Sequence, residues 1–372
     1  MPEPNERPSF SERTTLGVGG RPRAFVRAGD ERALVAALDD CVRRGEPYFV
    51  LGGGSNVVAA DAGFEGTVIA VANRGLSFSR GPGGETQVEA AAGEDWDALV
   101  ARCVGEGLAG VECLSGIPGL VGATPIQNVG AYGQEVSDVI ASVRVYDPAA
   151  GRAETLAPAA CAFAYRDSAF KREGAGRRVV LAVTFALRPG PPAPPRYAEL
   201  VRALDGATPS LERVRETVIA LRRSKSMVVD PSDPDSRSAG SFFTNPVLEA
   251  ASVEALRARL EAAGALAPGA ALPSFDAGQG RVKVPAAWLI ERAGVQKGKG
   301  QGGAAVSRAH ALAIVNRGGA RAADVVALAR HIRERVHRLS GLVLDPEPVF
   351  VGFGPNPLGR PDVPAEGWPN GR

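Results

Sequence analysis

Five short stretches of this chain hold residues able to do chemistry. The first is Leu51-Gly52-Gly53-Gly54-Ser55-Asn56. Three glycines after an apolar run keep side chains out of the way, so successive backbone N–H groups can face a concavity and hold a pyrophosphate. Ser55 and Asn56 would add side-chain donors; a plain tight turn is the alternative. The second runs from Ser115-Gly116-Ile117-Pro118-Gly119-Leu120-Val121-Gly122-Ala123 to Gln127-Asn128-Val129-Gly130-Ala131-Tyr132-Gly133, with five glycines in nineteen residues. Such backbone makes poor core but packs closely on a flat ring, a flavin or an adenine; an irregular loop is the alternative. The remaining three are Tyr165-Arg166-Asp167-Ser168, Gly240-Ser241-Phe242-Phe243 with Asn245-Pro246, and Leu344-Asp345-Pro346-Glu347. Each sets a polar group in an apolar or proline-fixed setting. Taken singly, a surface Arg, an N-cap Ser and a strand-edge Glu explain them better.

Other chemistries are excluded by what the spacing lacks. Gly52-Gly53-Gly54 follows an apolar run, but Val57 stands where a dinucleotide fingerprint needs its last glycine. Gly298-Lys299 resembles the end of a P-loop, yet Ala293 and Gly300 break that pattern. The three histidines, His310, His331 and His337, fall in the last sixth of the chain with no metal-ligand spacing, so no metal is expected. Cys41, Cys103, Cys113 and Cys161 form no CxxC pair and read as reduced, buried thiols. A net charge of +2 argues against a nucleic-acid or membrane-surface binder. The opening MPEPNERPSF lacks a basic start and apolar core, and no apolar run reaches the ~18 residues of a membrane span, so a cytoplasmic protein is expected.

The elements that must position these stretches follow from periodicity. At 372 residues, two or three domains are expected. Ala24 to Arg27 reads as a strand, and Asp30 as the N-cap of a helix carrying Leu34, Val35, Leu38 and Val42 and stopping at Gly45. Strands follow at Tyr48 to Leu51 and Thr67 to Val71, then a Gly-rich stretch from Arg80 to Gly84. A second unit opens with a strand at Gln87 to Ala92 and a helix from Asp95 to Val104, and has strands at Val139 to Tyr146 and Val179 to Leu187. Pro189 to Pro195 cannot be helical and marks a linker or mobile loop. Helices are expected at Ser210 to Arg223, Val253 to Ala263, Ala286 to Ala293 and Ala323 to Leu339, with strands at Ala311 to Val315 and Leu342 to Phe350. The class is α+β. The expected divisions are 1–84, 85–208 and 209–353, with a disordered tail at 354–372.

In this order and at these spacings, the five stretches closely resemble the UDP-N-acetylenolpyruvoylglucosamine reductase family. The likeness runs from Thr14-Thr15 and Gly19-Gly20 to Gly352. It implies a two-part FAD-binding domain of the vanillyl-alcohol-oxidase type in 1–84 and 85–208, and a C-terminal α/β domain in 209–353 that binds the UDP-sugar. It implies non-covalent FAD, NADPH as hydride donor, and reduction of an enolpyruvyl ether to a lactyl ether in peptidoglycan precursor synthesis. By match to the family, Arg166, Ser241 and Glu347 are catalytic. FAD would lie on Gly52, Gly53, Gly54, Ser55, Asn56, Val57, Ser115, Pro118, Gly119, Gly122, Ala123, Gln127, Asn128, Gly130, Ala131 and Tyr132. The UDP-sugar would meet Tyr132, Arg166, Tyr197, Lys225 and Asn245, with Tyr197 resembling the tyrosine of a family branch that closes a lid loop.

The reaction itself explains the residue types. Hydride addition to a double bond conjugated with a carboxylate builds an enolate, and preorganised cations at its oxygens lower the barrier. Arg166 is permanently charged and can fork onto a carboxylate. Ser241 would deliver the proton to carbon, and Glu347 fits if partial burial raises its pKa. Two features depart from the family: an enlarged loop at Val228 to Arg237, and Gln301 in place of an apolar residue. A flavin oxidase on the same fold is the alternative, but such oxidases often tether flavin through a histidine, and none precedes His310. A dead nucleotide binder would be expected to lack Arg166, Ser241 or Glu347.

Overall fold

The computed structural model describes residues 7–174, 176–206 and 209–360. Among them the chain divides into two compact units, each discontinuous in sequence. Unit 1 takes residues before 9, 21–54 and 64–228; unit 2 takes 9–20, 55–63 and the chain from 229 on. Both mix helices and strands, so the chain is α+β.

Among the described residues unit 1 contains two larger sheets and a two-stranded one, Gly130–Ala131 with Gln134–Glu135. The first is parallel, with Phe64–Val71 between Pro22–Ala28 and Tyr48–Leu51. Helix Glu31–Arg44 covers it, burying Leu34, Leu38 and Cys41 at helical spacing. Its ends are specified locally: the Asp30 side chain accepts from the Ala33 amide, and Gly45 takes a left-handed φ of 61°. The second sheet is antiparallel and runs Arg152–Leu156, Ile140–Asp147, Val179–Pro189, Thr86–Ala91, Leu76–Arg80. Helix Trp96–Gly105 packs its buried Trp96, Leu99, Val100 and Val104 into the same core as Val88, Val143, Val183 and Phe185.

Unit 2 is built on a four-stranded sheet ordered Ser238–Ser241, Ala313–Asn316, Ala304–Val306, Gly300–Gln301. Helix Ala322–Ser340 buries Val325, Leu328, Ala329, Ile332 and Val336 in its core. Strand Val57–Ala59 pairs in parallel with Val349–Val351, joining positions almost three hundred residues apart.

Three expectations need correcting. A boundary at 84/85 would cut a hairpin, because Leu76–Arg80 pairs with Thr86–Ala91 around a turn closed by the Gly81 amide on Glu85 O at 2.8 Å. The third division does not start at 209: helix Leu211–Arg223 buries Val214 and Val218 with Leu200, Leu204 and Cys113 inside unit 1. The strand expected over Leu342 to Phe350 shrinks to Val349–Val351, since Pro346 and Pro348 cannot donate to a ladder. The tail expected to be disordered lies, from 361 on, outside the described residues.

Candidate active site

In unit 1 the two Gly-rich stretches meet. A Cβ built on Gly53 would stand 2.8 Å from Gly119 Cα and 3.2 Å from its carbonyl carbon, so only glycine permits this approach. One on Gly122 would stand 2.5 Å from Ala92 Cβ. The 115–123 loop is pinned on both sides of that contact. Gly119 O accepts from the Trp96 amide at 3.1 Å, Val121 N donates to Glu94 O at 2.9 Å, and Gly122 N donates to Ala92 O at 2.9 Å. A Cβ on Gly52, by contrast, meets only Ala123 Cβ at 3.9 Å, so Gly52 opens onto space. The result is a bare backbone surface with its shape fixed.

Asp97 holds this loop from below. Its Oδ1 accepts from the Gly116 amide at 2.6 Å and from Arg215 Nη1 at 2.6 Å, while Oδ2 accepts from Arg215 Nη2 at 2.8 Å. Burial alone would raise this carboxyl; the Arg215 fork and the Gly116 amide outweigh it and hold the group below the usual aspartate range.

Arg166 adopts a positive φ of 52°. Its Nη2 donates to Gly130 O at 2.5 Å and Nη1 to Asn128 O at 3.3 Å, so its guanidinium is fixed against the second Gly-rich stretch. Asn128 is itself locked, donating to Glu135 Oε2 at 2.8 Å and Ala164 O at 3.0 Å. Tyr132, with φ 49°, sets its ring edge-on to Tyr197 at 5.4 Å between centroids, and Lys225 Nζ lies 5.7 Å from the Tyr132 ring centre. Burial pushes the Tyr132 hydroxyl up to about 12, which keeps it a neutral donor. Lys225 Nζ pairs with Glu199 Oε2 at 2.5 Å. Unit 1 holds Gly52, Gly53, Gly54, Ser115, Pro118, Gly119, Gly122, Ala123, Gln127, Asn128, Gly130, Ala131, Tyr132, Arg166, Tyr197 and Lys225.

Unit 2 holds the others: Ser55, Asn56, Val57, Ser241, Asn245 and Glu347. Asn56, Ser241 and Glu347 are linked through the backbone of Glu347 and Phe242. The Glu347 amide donates to Phe242 O at 2.9 Å, next to Ser241, and Asn56 Nδ2 donates to Glu347 O at 3.2 Å. Ser241 and Glu347 are half-buried. Asn245 Oδ1 accepts from the Ala286 amide at 2.8 Å, at the start of helix Ala286–Arg292.

One residue of unit 1 escaped sequence reasoning. Arg222 donates through Nη2 to Met227 O at 2.8 Å, while its Nε is buried with no partner among the described residues. A Cβ on Gly116 would stand 3.5 Å from that Nε. The signal was available: Arg222 falls on the apolar stripe of its helix, after Leu211, Val214 and Val218.

Elsewhere the reactive groups are quiet. All four cysteines are free and buried, and burial pushes Cys103 and Cys113 up to about 12 and Cys161 to about 11. Among the described residues no group of three His, Cys, Asp or Glu could hold a metal, and no helix is long and apolar enough to cross a membrane.

A fixed glycine surface, an Arg222 Nε buried with no partner among the described residues and a clamped Arg166 suit a nucleotide-cofactor oxidoreductase, and comparison with known proteins agrees. An FAD-binding-domain family model matches residues 22–157, and the model for the C-terminal domain of UDP-N-acetylenolpyruvoylglucosamine reductase matches 231–351. The UDP-N-acetylenolpyruvoylglucosamine reductase of Thermobifida fusca is 52% identical over 92% of this chain and 96% of its own. That of Saccharopolyspora erythraea is 49% identical over 91% and 93%. The solved reductase from Thermus caldophilus superposes with a TM-score of 0.63 at 27% identity, covering 93% of this chain and 98% of its own. The chain belongs to the UDP-N-acetylenolpyruvoylglucosamine reductase family.

The residues present fit FAD. Gly52 opens onto space with no side chain in the way of a pyrophosphate, and Arg222 Nε, with no partner among the described residues, supplies a buried donor beside Gly116 of the 115–123 loop.

Proposed function

We propose that the chain reduces UDP-N-acetylglucosamine enolpyruvate to UDP-N-acetylmuramate, a precursor of peptidoglycan, as an NADPH-dependent flavoenzyme. The supporting observation is the fixed geometry of Arg166, whose guanidinium is held by Gly130 O and Asn128 O on a loop of the FAD-binding domain. Bound FAD would supply hydride transfer between NADPH and the enolpyruvyl double bond. Arg166 receives the substrate carboxylate and spreads the charge that develops on it. Ser241 gives its hydroxyl proton to the double-bond carbon beside the carboxylate, so one hydride and one proton together saturate the double bond. Glu347, whose backbone amide is tied to Phe242 O, stands with Ser241 on the proton-delivering side. Lys225, Tyr132, Tyr197 and Asn245 hold the UDP-sugar. The four free cysteines accord with a reducing compartment, and we place the enzyme in the cytoplasm.

The test is NADPH oxidation by the purified flavoprotein. Turnover should depend on the UDP-sugar and fall at least ~10²-fold in Ser241→Ala with flavin retained. Equal NADPH consumption with and without the sugar would rule the reading out.

A further inference from the structure

Ser241 ends a strand that cannot fix its own register. Ser238–Ser241 is a four-residue edge strand, paired with Ala313–Asn316 only at Ser238↔Val315 and Ser241↔Ala313. Between those points it holds one residue more than its neighbour, a bulge at which Gly240 takes a φ of 74°. A slip of one residue would turn the Ser241 side chain to the opposite face of the sheet. The register must therefore be set from the ends. After Ser241 the pin is apolar: Phe242 and Phe243 are buried and the Phe242 amide donates to Leu312 O at 2.8 Å.

Before the strand the pin is polar and lies in the 228–237 loop. Asp235 is 4% exposed. Its carboxylate accepts from the Arg308 amide at 2.6 Å, Ser307 Oγ at 3.1 Å, and Arg317 Nε and Nη2 at 3.1 and 3.4 Å. Arg317 Nη1 donates onward to Gly298 O at 2.9 Å. Ser307 and Arg308 follow strand Ala304–Val306, and Arg317 follows Ala313–Asn316, so one carboxylate ties the loop to the next two strands of the sheet. The loop is stiffened behind it: Asp233 Oδ1 accepts from the Asp235 amide at 2.9 Å, and Ser236 Oγ donates to Asp230 O at 2.7 Å. Two further bonds continue the pin, Asn316 N to Arg237 O at 2.9 Å and Thr15 Oγ1 to Ser238 O at 2.7 Å. A buried ion pair is a poor source of stability compared with apolar packing, but a good source of register.

We propose that Asp235, with Arg317, is a positioning residue that sets the register of strand Ser238–Ser241 and thereby aims the Ser241 hydroxyl; this rests on the reading of Ser241 as proton donor. The enlarged loop at Val228 to Arg237 is then the device that carries the pin.

The test uses the full-length holoenzyme and separates its half-reactions by flavin absorbance without oxygen. In Asp235→Asn, flavin reduction by NADPH should stay within about twofold of wild type. Reoxidation by UDP-N-acetylglucosamine enolpyruvate should slow at least ~10-fold, with a larger solvent deuterium isotope effect. Arg317→Lys keeps the charge but loses the fork, and Ser307→Ala removes one donor; both should fall between. These milder variants decide the matter if Asp235→Asn does not fold. Reoxidation and isotope effect unchanged per flavin-loaded molecule, with only the melting temperature lowered, would overturn the proposal. Ser241→Ala is measured alongside. If it reoxidises at the wild-type rate, the proton-donor reading fails and takes this proposal with it; if it is slow while the Asp235 and Arg317 variants are fast, only the pin fails.

Discussion

Gly53→Ala tests the cofactor surface most directly. The added methyl would meet Gly119 Cα at 2.8 Å, Gly119 C at 3.2 Å and Leu120 N at 3.4 Å. Favourable carbon contacts begin near 3.5 Å, so the closest overlap is ~0.7 Å. The atoms hit are backbone and are pinned by Trp96, Glu94 and Ala92, so the strain cannot escape through a rotamer change. Overpacking of this kind costs about 1–3 kcal/mol. The free protein can relieve it by displacing the 115–123 loop, but FAD needs that loop in place. The penalty should therefore divide between a lower melting temperature of the flavin-free protein, at ~2–4 °C per kcal/mol, and a Kd for FAD weakened by up to roughly 150-fold. Gly52→Ala is the control, because its methyl meets only Ala123 Cβ at 3.9 Å. It should leave the flavin-free melting temperature unchanged and weaken FAD alone, since the open space is where the cofactor would sit. Flavin fluorescence titration and thermal melts of deflavinated protein give both quantities. Gly53→Ala unchanged in both would refute the close approach of the two loops; Gly52→Ala binding FAD at full affinity would refute the cradle.

Two further perturbations probe the same unit. Glu199 neutralises Lys225 at 2.5 Å, with both side chains about 30% exposed, so a negatively charged pyrophosphate must compete with it. Glu199→Gln should lower the KM for the UDP-sugar about 2–5-fold in low salt, with the gain shrinking as salt rises; a raised KM would mean that Glu199 holds Lys225 in its working position. The Asp97 carboxyl is held below its usual value of 3.8, so the stability it contributes is full above that value and is lost as pH falls through the lower, folded one. Asp97→Asn should cost ~1 kcal/mol near neutral pH, discounted for partial exposure, and the cost should shrink as pH falls below the ordinary aspartate value. Denaturant melts across that range decide it; a difference that persists in acid would show that the carboxylate charge is not the cause.

Much of the scaffold was legible because its signals are local. Asp30, Gly45, Asp95 and Ser210 mark helix ends where they stand, and each cap is made. Strand Tyr48–Leu51 falls where its apolar run predicts, and Pro22–Ala28 and Val179–Pro189 extend theirs only slightly. What escaped depends on distant partners. Val57–Ala59 is three residues long and forms a strand because Val349–Val351 lies beside it. Leu76–Arg80 alternates apolar and polar residues over only five positions and is exposed throughout, so its signal is weak. Asp97 carries no local sign of its role, and only the fold turns it toward the Gly-rich loop.

The discontinuous division explains why the family was readable while the boundaries were not. A family motif is a local string, fixed by the chemistry of the atoms it meets. A unit boundary is set by which core each segment enters. The run Gly52 to Val57 is continuous as a motif, yet Gly54 belongs to unit 1 and Ser55 to unit 2. Residues 9–20 place Leu16 and Val18 in the core of unit 2, beside Val58, although the chain before and after them belongs to unit 1. Arg166 stands on one unit, and Ser241 and Glu347 on the other. A chain threaded in this way cannot be divided at one point into a cofactor half and a substrate half: a piece starting at Val229 would lack Leu16, Val18, Val58 and the strand partner of Val349–Val351. The charge-stabilising and proton-donating roles proposed for Arg166 and Ser241 thus fall to units whose cores depend on interleaved segments of chain.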